Sequence, residues 1–562
     1  MNIDPIDRDT FQHEIVSAAE EMSMALRRSA YSSIIWDMYD YACGLLLPDG
    51  EMLAQAETIP AQLGIMRLAA RHMLQAIPIE AWREGDVLVS NDPYRGCTHT
   101  PDIVLFSPIF HEGKIIAIAS TIAHHIDIGG KVPGTEAADS REIFEEGLIL
   151  PPLKLVEAGR PNHAIFDIIA ANVRDPKASA GDLRAQIAGC HTGERRVQAL
   201  VQRYGAARFT ALASAVMDYA ETYVRRSLAA IGQGRGEACV LIEDGFGAPE
   251  PIAIRVQATV QGDRLILDFA GTSAQRDCGL NCPLSSTLSM VHFAVKALFA
   301  PSLPQNEGCN RPVEIRLPEG TVLSPRRPAA VSVRHLTQQA LADAVLKALT
   351  PLVPETAAAG CHVSFPTFAA GGLDDRPGAL AANGEAGYFL ISDIIGGGMG
   401  GYPGGDGIPA VDTHGGNCAL LSAEVLETMS PIRVQRSALV PGSGGAGEFR
   451  GGLAMERDYE ILAGVCTVSG YLQQAAPETA PWGYAGGGPG GLAGCWLRPA
   501  AGEERALPSK HIALRLKRGD RLRYRSAGGG GWGDPQRRSA EALAEDREAG
   551  YGLMKASGDI GE

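Results

Sequence analysis

In the stretch NDPYRGCTHTPD, residues 91–102, His99 and Asp102 stand one short turn apart. An imidazole nitrogen and a carboxylate oxygen both suit a divalent transition ion, and a third donor would complete a site with open positions. His-x-x-Asp alone is too short a pattern to assign. The third donor must come from another element, so the segments around the motif decide what it is.

Two β-rich runs follow: IVLFSPIF (103–110) and KIIAIASTIA (114–123), separated by His111-Glu112-Gly113, a hairpin signal. With the turn centred between Glu112 and Gly113, Asp102 faces Ala123 and Pro101 faces His124. Facing residues sit about 5 Å apart, so His99, Asp102 and His124 converge at the open end of one hairpin. Two imidazoles and a carboxylate leave room for water and substrate on Zn²⁺, Mn²⁺ or Fe²⁺, and water on such an ion becomes a nucleophile near neutral pH. The adjoining HHIDIGG adds His125 and Asp127, as an outer partner or general base. The same residues also fit two strand ends carrying solvated or capping polar side chains.

The elements that must position this hairpin are legible in outline. Phe11, Ile15, Ala18, Ala19, Met22 and Leu26 recur at helical spacing, with Asp9 and Gln12 as a capping pair. A strand pair, YACGLLL and EMLAQ, turns at Pro48-Asp49-Gly50, and Leu63, Met66, Ala70, Met73 and Ile77 share a helical face. Later come a long helix over 206–230, strands PIAIRVQATV and RLILDFAG, and helical runs at 284–299 and 336–349. Beyond Pro354 the chain is Gly-rich and strand-like. Hairpins rather than repeating βαβ units predict a mixed α/β (α+β) fold of several subdomains with antiparallel sheets and a Gly-rich C-terminal β region. The expected division is an N-terminal α/β domain (1–232) carrying the metal site, a middle α+β domain (233–352), a Gly-rich β domain (353–537) and a polar tail (538–562).

Composition narrows the function classes. The 562 residues carry a net charge of −15, a poor match for phosphate backbones. The opening MNIDPIDRD is polar and acidic rather than a secretory leader, and the apolar run 115–123 is too short to span a bilayer. The 11 cysteines are dispersed without a CxxC pair, which reads as reduced thiols in the cytoplasm.

NDPYRGCTHTPD, AHHIDIGGKVPG and EIFEEGLILPPLKL together resemble the hydantoinase B/oxoprolinase family. DFAGTS (268–273), PQNEGC (304–309), GTVLSPRRPAAV (320–331), GSGGAGEFRGG (442–452) and AGGGGWGDP (527–535) extend the likeness over nearly the whole chain. The resemblance implies a metal on His99, Asp102 and His124. It also implies a catalytic or outer carboxylate at Asp40, in the motif Asp40-Tyr41-Ala42. Three positions depart from the family's pattern: Cys97 where many relatives have Gly, Ala42 where they often have Ser, and Pro441 before the Gly442-Ser443-Gly444-Gly445 run, which usually starts with an acid. The first two are expected at the pocket wall.

Gly442–Gly447 fits GxGxxG, but a strand-like segment follows where the dinucleotide fingerprint needs a helix. No GxxxxGK[ST] occurs, and the resemblance assigns ATP and Mg²⁺ to a partner α subunit. Gly396–Gly407 reads as tight packing rather than a substrate lid. Cys97 lacks a visible base and reads as a wall residue rather than a nucleophile.

The reading that follows is the hydrolytic β subunit of an ATP-dependent cyclic amidase for a hydantoin, lactam or 5-oxoproline. In it the α subunit phosphorylates the amide oxygen, one divalent metal delivers hydroxide, and Asp40 or Asp127 takes the proton. An α2β2 heterotetramer is implied, with no nucleic acid or membrane partner. The alternatives are a subunit of an acetone- or acetophenone-type ketone carboxylase and a non-catalytic scaffold.

Overall fold

The computed structural model describes residues 3–246, 250–379 and 386–552. Its first sheet has seven antiparallel strands: β1 (Tyr41–Leu46), β2 (Met52–Gln55), β3 (Val87–Ser90), β4 (Asp102–His111), β5 (Lys114–His124), β6 (Leu153–Glu157) and β7 (Arg160–Pro161), in the order β2-β1-β5-β4-β3-β6-β7. Alternating side chains feed two cores. Tyr41, Cys43, Ile103, Leu105 and Ala119 face the helices Pro5–Ser29 and Pro176–Tyr204. Ala42, Val104, Phe106, Ile118 and Ile122 meet Met66, Ala70 and Met73 of the helix Met66–Ala76 on the opposite side.

The β4–β5 pairing follows the expected count only near the turn, where His111 faces Lys114 and Phe110 faces Ile115. A bulge between Ile109 and Phe110 then inserts Ile116 on β5, and every later pair moves by one residue. Asp102 therefore faces His124 itself. On the other side of β5, Tyr41 faces Ala123, and the His124 N–H donates to the Asp40 carbonyl at 3.1 Å. Asp40, the residue before β1, thus lies in one row with His124 at the end of β5 and Asp102 at the start of β4.

Other expectations shift for identifiable reasons. The N-terminal helix is capped by Asp4, whose carboxylate accepts from the Ile6 N–H at 2.8 Å with Pro5 in the first turn. Asp9 and Gln12 lie inside that helix. The expected helix through Leu63 and Ile77 is two, Pro60–Leu63 and Met66–Ala76, parted at Gly64, where a Cβ would lie 2.2 Å from Ser289 Oγ. The polar tail contains a docked helix, Ala540–Glu548: its Asp546 is buried and paired with Arg538 at 2.6 Å and Arg450 at 3.1 Å. Residues 553–562 of that tail lie outside the described residues.

A second sheet holds the strands Gln233–Ile242, Ile252–Gln261, Arg264–Asp268 and Val313–Arg316, the last pair parallel. The expected boundaries near 232 and 352 fall at Gly232 and at the end of the 3-10 turn Thr350–Leu352, but one apolar core runs through both. The helix Arg334–Leu349 is buried on nearly every side, although it carries Arg334, His335, Gln338, Gln339 and Asp343. Such a helix must find partners for its polar groups.

Two further antiparallel sheets form the C-terminal region, one of four strands and one of five. Between their strands, glycine runs pack backbone on backbone. Gly398 N–H donates to Ala527, Gly401 to Gly530, and Gly530 to Gly360, at 2.8–3.0 Å. The run Gly396–Gly407 is part of this mesh, as expected. Gly442–Gly447 joins it as well, with a Cβ at Gly445 falling 2.4 Å from the Gly488 oxygen. A Cβ at Gly529 would lie 1.9 Å from the Met399 oxygen, so Gly529→Ala should cost roughly 1–3 kcal/mol by overpacking. Thermal denaturation should show the loss, while Gly378→Ala, with nothing within 4 Å, leaves the midpoint unchanged.

Candidate metal centre

The loop that delivers His99 is built by the rest of its own motif. Asn91 pins it by donating to the carbonyls of Thr100 (2.6 Å) and Leu148 (2.9 Å) and accepting from the Leu150 N–H (2.6 Å). Asp92 caps the turn Pro93–Arg95, and Gly96 at φ 93° reverses the chain. His99 Nε2 then lies 3.3 Å from His124 Nδ1 and 3.4 Å from Asp102 Oδ2, with His124 Nδ1 3.1 Å from Asp102 Oδ1. All three are buried. Their ligand atoms converge within 4.8 Å, an N₂O donor set suited to a divalent transition ion.

Three further groups surround them that the linear pattern did not single out. Glu136 Oε1 lies 3.2 Å from His99 Nδ1 and 3.7 Å from His335 Nδ1, and its other oxygen accepts from the Tyr471 hydroxyl. His99 Nδ1 is also 2.9 Å from the Ser332 carbonyl. These two acceptors fix the His99 proton on Nδ1 and aim Nε2 at Asp102 and His124. Arg334 donates to Asp102 Oδ2 at 2.9 Å. A signal was present in SVRHLTQQA, where Arg334 and His335 are followed one helical turn later by Gln338 and Gln339; all four line the same cavity.

The electrostatics of the site divide its four residues. Burial, with Arg334 adding to it, holds His99 below its usual value. Burial alone would raise Asp102, but His99 and His124 hold its carboxylate well below the usual range. Burial opposes charge on His124 too, yet its hydrogen bond with Asp102 and the charge of Asp40 push it up to about 9. Burial pushes Asp40 up to about 6 against the pull of His124. Gln62 Nε2 bridges the two carboxylates, 2.8 Å from Asp40 Oδ1 and 3.4 Å from Asp102 Oδ1.

Asp40 therefore stands beside the cluster, but Asp127 does not. Asp127 accepts from the N–H groups of Gly129, Gly134 and Arg174 at 2.9–3.2 Å and from the Arg174 guanidinium at 2.7 Å. Those bonds consume its lone pairs in a loop anchor. His125, next along the strand from His124, points to the other face and meets Gln186 Oε1 at 3.1 Å. Cys97 and Ala42, expected at the pocket wall, lie behind it in the core under Met66, and burial pushes the Cys97 thiol far up. The cysteine that lines the cavity is Cys418.

Residues 4–535 match the family model of the hydantoinase B/oxoprolinase proteins. The chain belongs to that family. It is 30% identical to the β subunit of the caprolactamase of Pseudomonas jessenii, over 99% of this chain and 95% of that one. It is equally 30% identical to the B-type subunit of a putative D-/L-hydantoinase of Pseudomonas sp. strain NS671, over 98% and 93%. The crystal structure of the ATP-dependent caprolactamase from P. jessenii superposes with a TM-score of 0.89 at 28% identity, covering 100% of this chain and 98% of that chain. A nucleotide-free acetone carboxylase structure shares the fold at a TM-score of 0.86 and 20% identity, over 99% and 81%. No helix among the described residues is long and apolar enough to cross a membrane.

With His124 protonated up to about pH 9, a metal must displace that proton. Its affinity for the metal-free chain should rise with pH through neutrality by roughly tenfold per unit and level off above the His124 value. Chelator competition across pH measures it. Glu136→Gln, which weakens the acceptor behind His99, should lower metal affinity by about 10–100-fold without unfolding the chain; the same competition, with circular dichroism, reads both.

Proposed function

We propose that this chain is the hydrolytic subunit of an ATP-dependent cyclic amidase, opening the ring of a hydantoin, lactam or 5-oxoproline. The observation that carries the reading is the row Asp40–His124–Asp102, closed by His99, in which His99, Asp102 and His124 are buried and Asp40 beside them is partly exposed. The fit of its donor set to a divalent ion supports it, as do relatives named for cyclic-amide enzymes at 30% identity over nearly their full length. The carboxylase likeness, at 20% identity, reaches the fold alone. The caprolactamase and hydantoinase relatives are each named as one part of a larger enzyme. We take the partner here to be an α subunit that binds ATP and Mg²⁺ and phosphorylates the amide, in an α2β2 assembly.

His99, Asp102 and His124 would hold Zn²⁺, Mn²⁺ or Fe²⁺, which when bound would supply Lewis acidity and acidify water. Glu136 and the Ser332 carbonyl keep the His99 tautomer that leaves Nε2 free to ligate. Arg334 balances the charge of Asp102 and presents a buried Nε, without a hydrogen-bond partner among the described residues, to the cavity. Gln62 holds one oxygen of Asp40 and leaves the other facing His124 at 4.0 Å. A carboxylate raised to about 6 is a base matched to neutral pH, and it takes the proton of the attacking water.

In the complex with its partner, His99→Ala and His124→Ala should lose both bound metal and ATP-dependent ring opening. Asp40→Asn should keep its metal while kcat falls about 10²–10⁴-fold. Full ring opening by metal-free His99→Ala would sink the mechanism, and ATP turnover that requires bicarbonate and a ketone would move the chain to the carboxylases.

A further inference from the structure

The metal centre uses only part of the stretches that carry the family likeness. Residues of four of them that it leaves unused meet beside the His99 loop, around a surface groove of about 610 Å³. Asp92 and Arg95 come from NDPYRG, residues 128–130 from HHIDIGG, Phe144 and residues 147–149 from EIFEEGLIL, and Arg327 from SPRRPAAV.

The groove is held by backbone packing and tied to the metal centre. A Cβ at Gly129 would lie 2.6 Å from the Asn172 oxygen, and one at Gly147 would lie 2.5 Å from the Ile128 oxygen. Asp127 anchors this part by accepting from the N–H groups of Gly129 and Arg174 at 3.0 and 2.9 Å. The Thr100 hydroxyl donates to the Glu146 carbonyl, and Glu146 Oε1 accepts from the Val331 and Ser332 N–H groups at 2.7 Å. Ser332 is the residue whose carbonyl stands behind His99. The segments that wall the groove are thus the ones that hold the His99 loop, and the surface is formed before anything docks on it.

The charged residues lining the groove are Asp92, Arg95 and Arg327. Arg95 Nε and Arg327 Nη1 each lie 3.6 Å from Asp92 Oδ2, beyond a good hydrogen bond. Asp92 is buried, while both arginine side chains are nearly half-exposed. Two cations share one carboxylate, which leaves a positive surplus on a chain of net charge −15. The apolar side chains beside them face water. Phe144 is 64% exposed, with the Arg327 guanidinium 5.6 Å from its ring centre. Ile168, 51% exposed, stands one helical turn before Asn172, which lines the groove. Exposed aromatic and aliphatic side chains beside arginines are the composition of protein interfaces rather than of ordinary surface.

We propose that this groove is a docking site for the partner α subunit. An acidic side chain of the partner bridges Arg95 and Arg327, and an apolar neighbour of it covers Phe144 and Ile168. A carboxylate supplies the charge that Asp92 alone does not, and guanidiniums bind it through paired N–H groups. A small anion would satisfy the arginines but leave Phe144 and Ile168 in water, so the apolar rim favours a protein. This inference rests on the partner-subunit reading above and adds the surface that receives the partner.

The test is the affinity of the full-length chain for the co-expressed α subunit. Phe144→Asp and the double variant Arg95→Glu/Arg327→Glu should each weaken association by roughly tenfold or more, with metal content and circular dichroism unchanged. Leu373→Asp, at a side chain 57% exposed on the four-stranded sheet, should associate like the natural chain. Unchanged affinity in either groove variant, or an equal loss in Leu373→Asp, would overturn the proposal. So would binding of inorganic phosphate that the double variant loses while its subunit complex stays intact. A natural chain that does not associate with the α subunit at all overturns the partner reading together with this one. An intact complex that opens no cyclic amide sinks the hydrolytic reading and leaves the docking site standing.

Discussion

A carboxylate with no solvent exposure cannot stay ionised unless the fold surrounds it with donors, and Asp102 is such a carboxylate. Thr98, His124, Gln62 and Arg334 all approach its two oxygens as donors. One of the four sits in its own loop, one faces it across the hairpin, and the others come from a short helix and from a helix more than two hundred residues later. Placing that one charge fixes where the sheet, the helix Pro60–Leu63 and the helix Arg334–Leu349 sit relative to one another. Polar residues inside the last of these find partners at and beyond the cluster: Arg334 meets Asp102, and Gln339 accepts from the Gly415 N–H.

The C-terminal region completes the enclosure with different materials. Tyr471 and Phe365 close the cavity beside His335, and Tyr471 supplies the hydroxyl behind Glu136. Tyr471 ends a strand of the four-stranded sheet, and near that sheet glycine runs pack with their backbones touching. Positions such as Gly398 and Gly529 tolerate no side chain, because carbonyl oxygens lie where a Cβ would be. Rigidity there keeps Tyr471 and Glu136 in contact, and through them the orientation of His99.

The hairpin and the convergence of His99, Asp102 and His124 at its open end were legible because strand alternation and a short turn leave few registers. The one-residue slip was not, since Ile116 looks like any other apolar strand residue and nothing in a sequence marks a bulge. Asp127 misled for a related reason: its neighbours in HHIDIGG are glycines whose N–H groups, with Arg174 from a distant segment, absorb its carboxylate. Glu136 and Arg334 were hidden by distance along the chain. The longest helix, Pro176–Tyr204, went unread because Gly181, Gly189 and Gly193 dilute its pattern. Those glycines admit Tyr31, Leu26 and Met22 to close contact. Family resemblance reached Asp40, which no spacing rule would have chosen.

The order of the cluster's residues along the chain has a consequence for biogenesis. His99, Asp102 and His124 are synthesised early, while Arg334, which balances Asp102, follows some two hundred residues later, and Tyr471 later still. A nascent chain that has released only the first sheet holds an acidic and imidazole-rich strand end that cannot be buried. Burial of Asp102 thus joins segments far apart in the chain, and a chain ending before Arg334 lacks the guanidinium that balances this carboxylate.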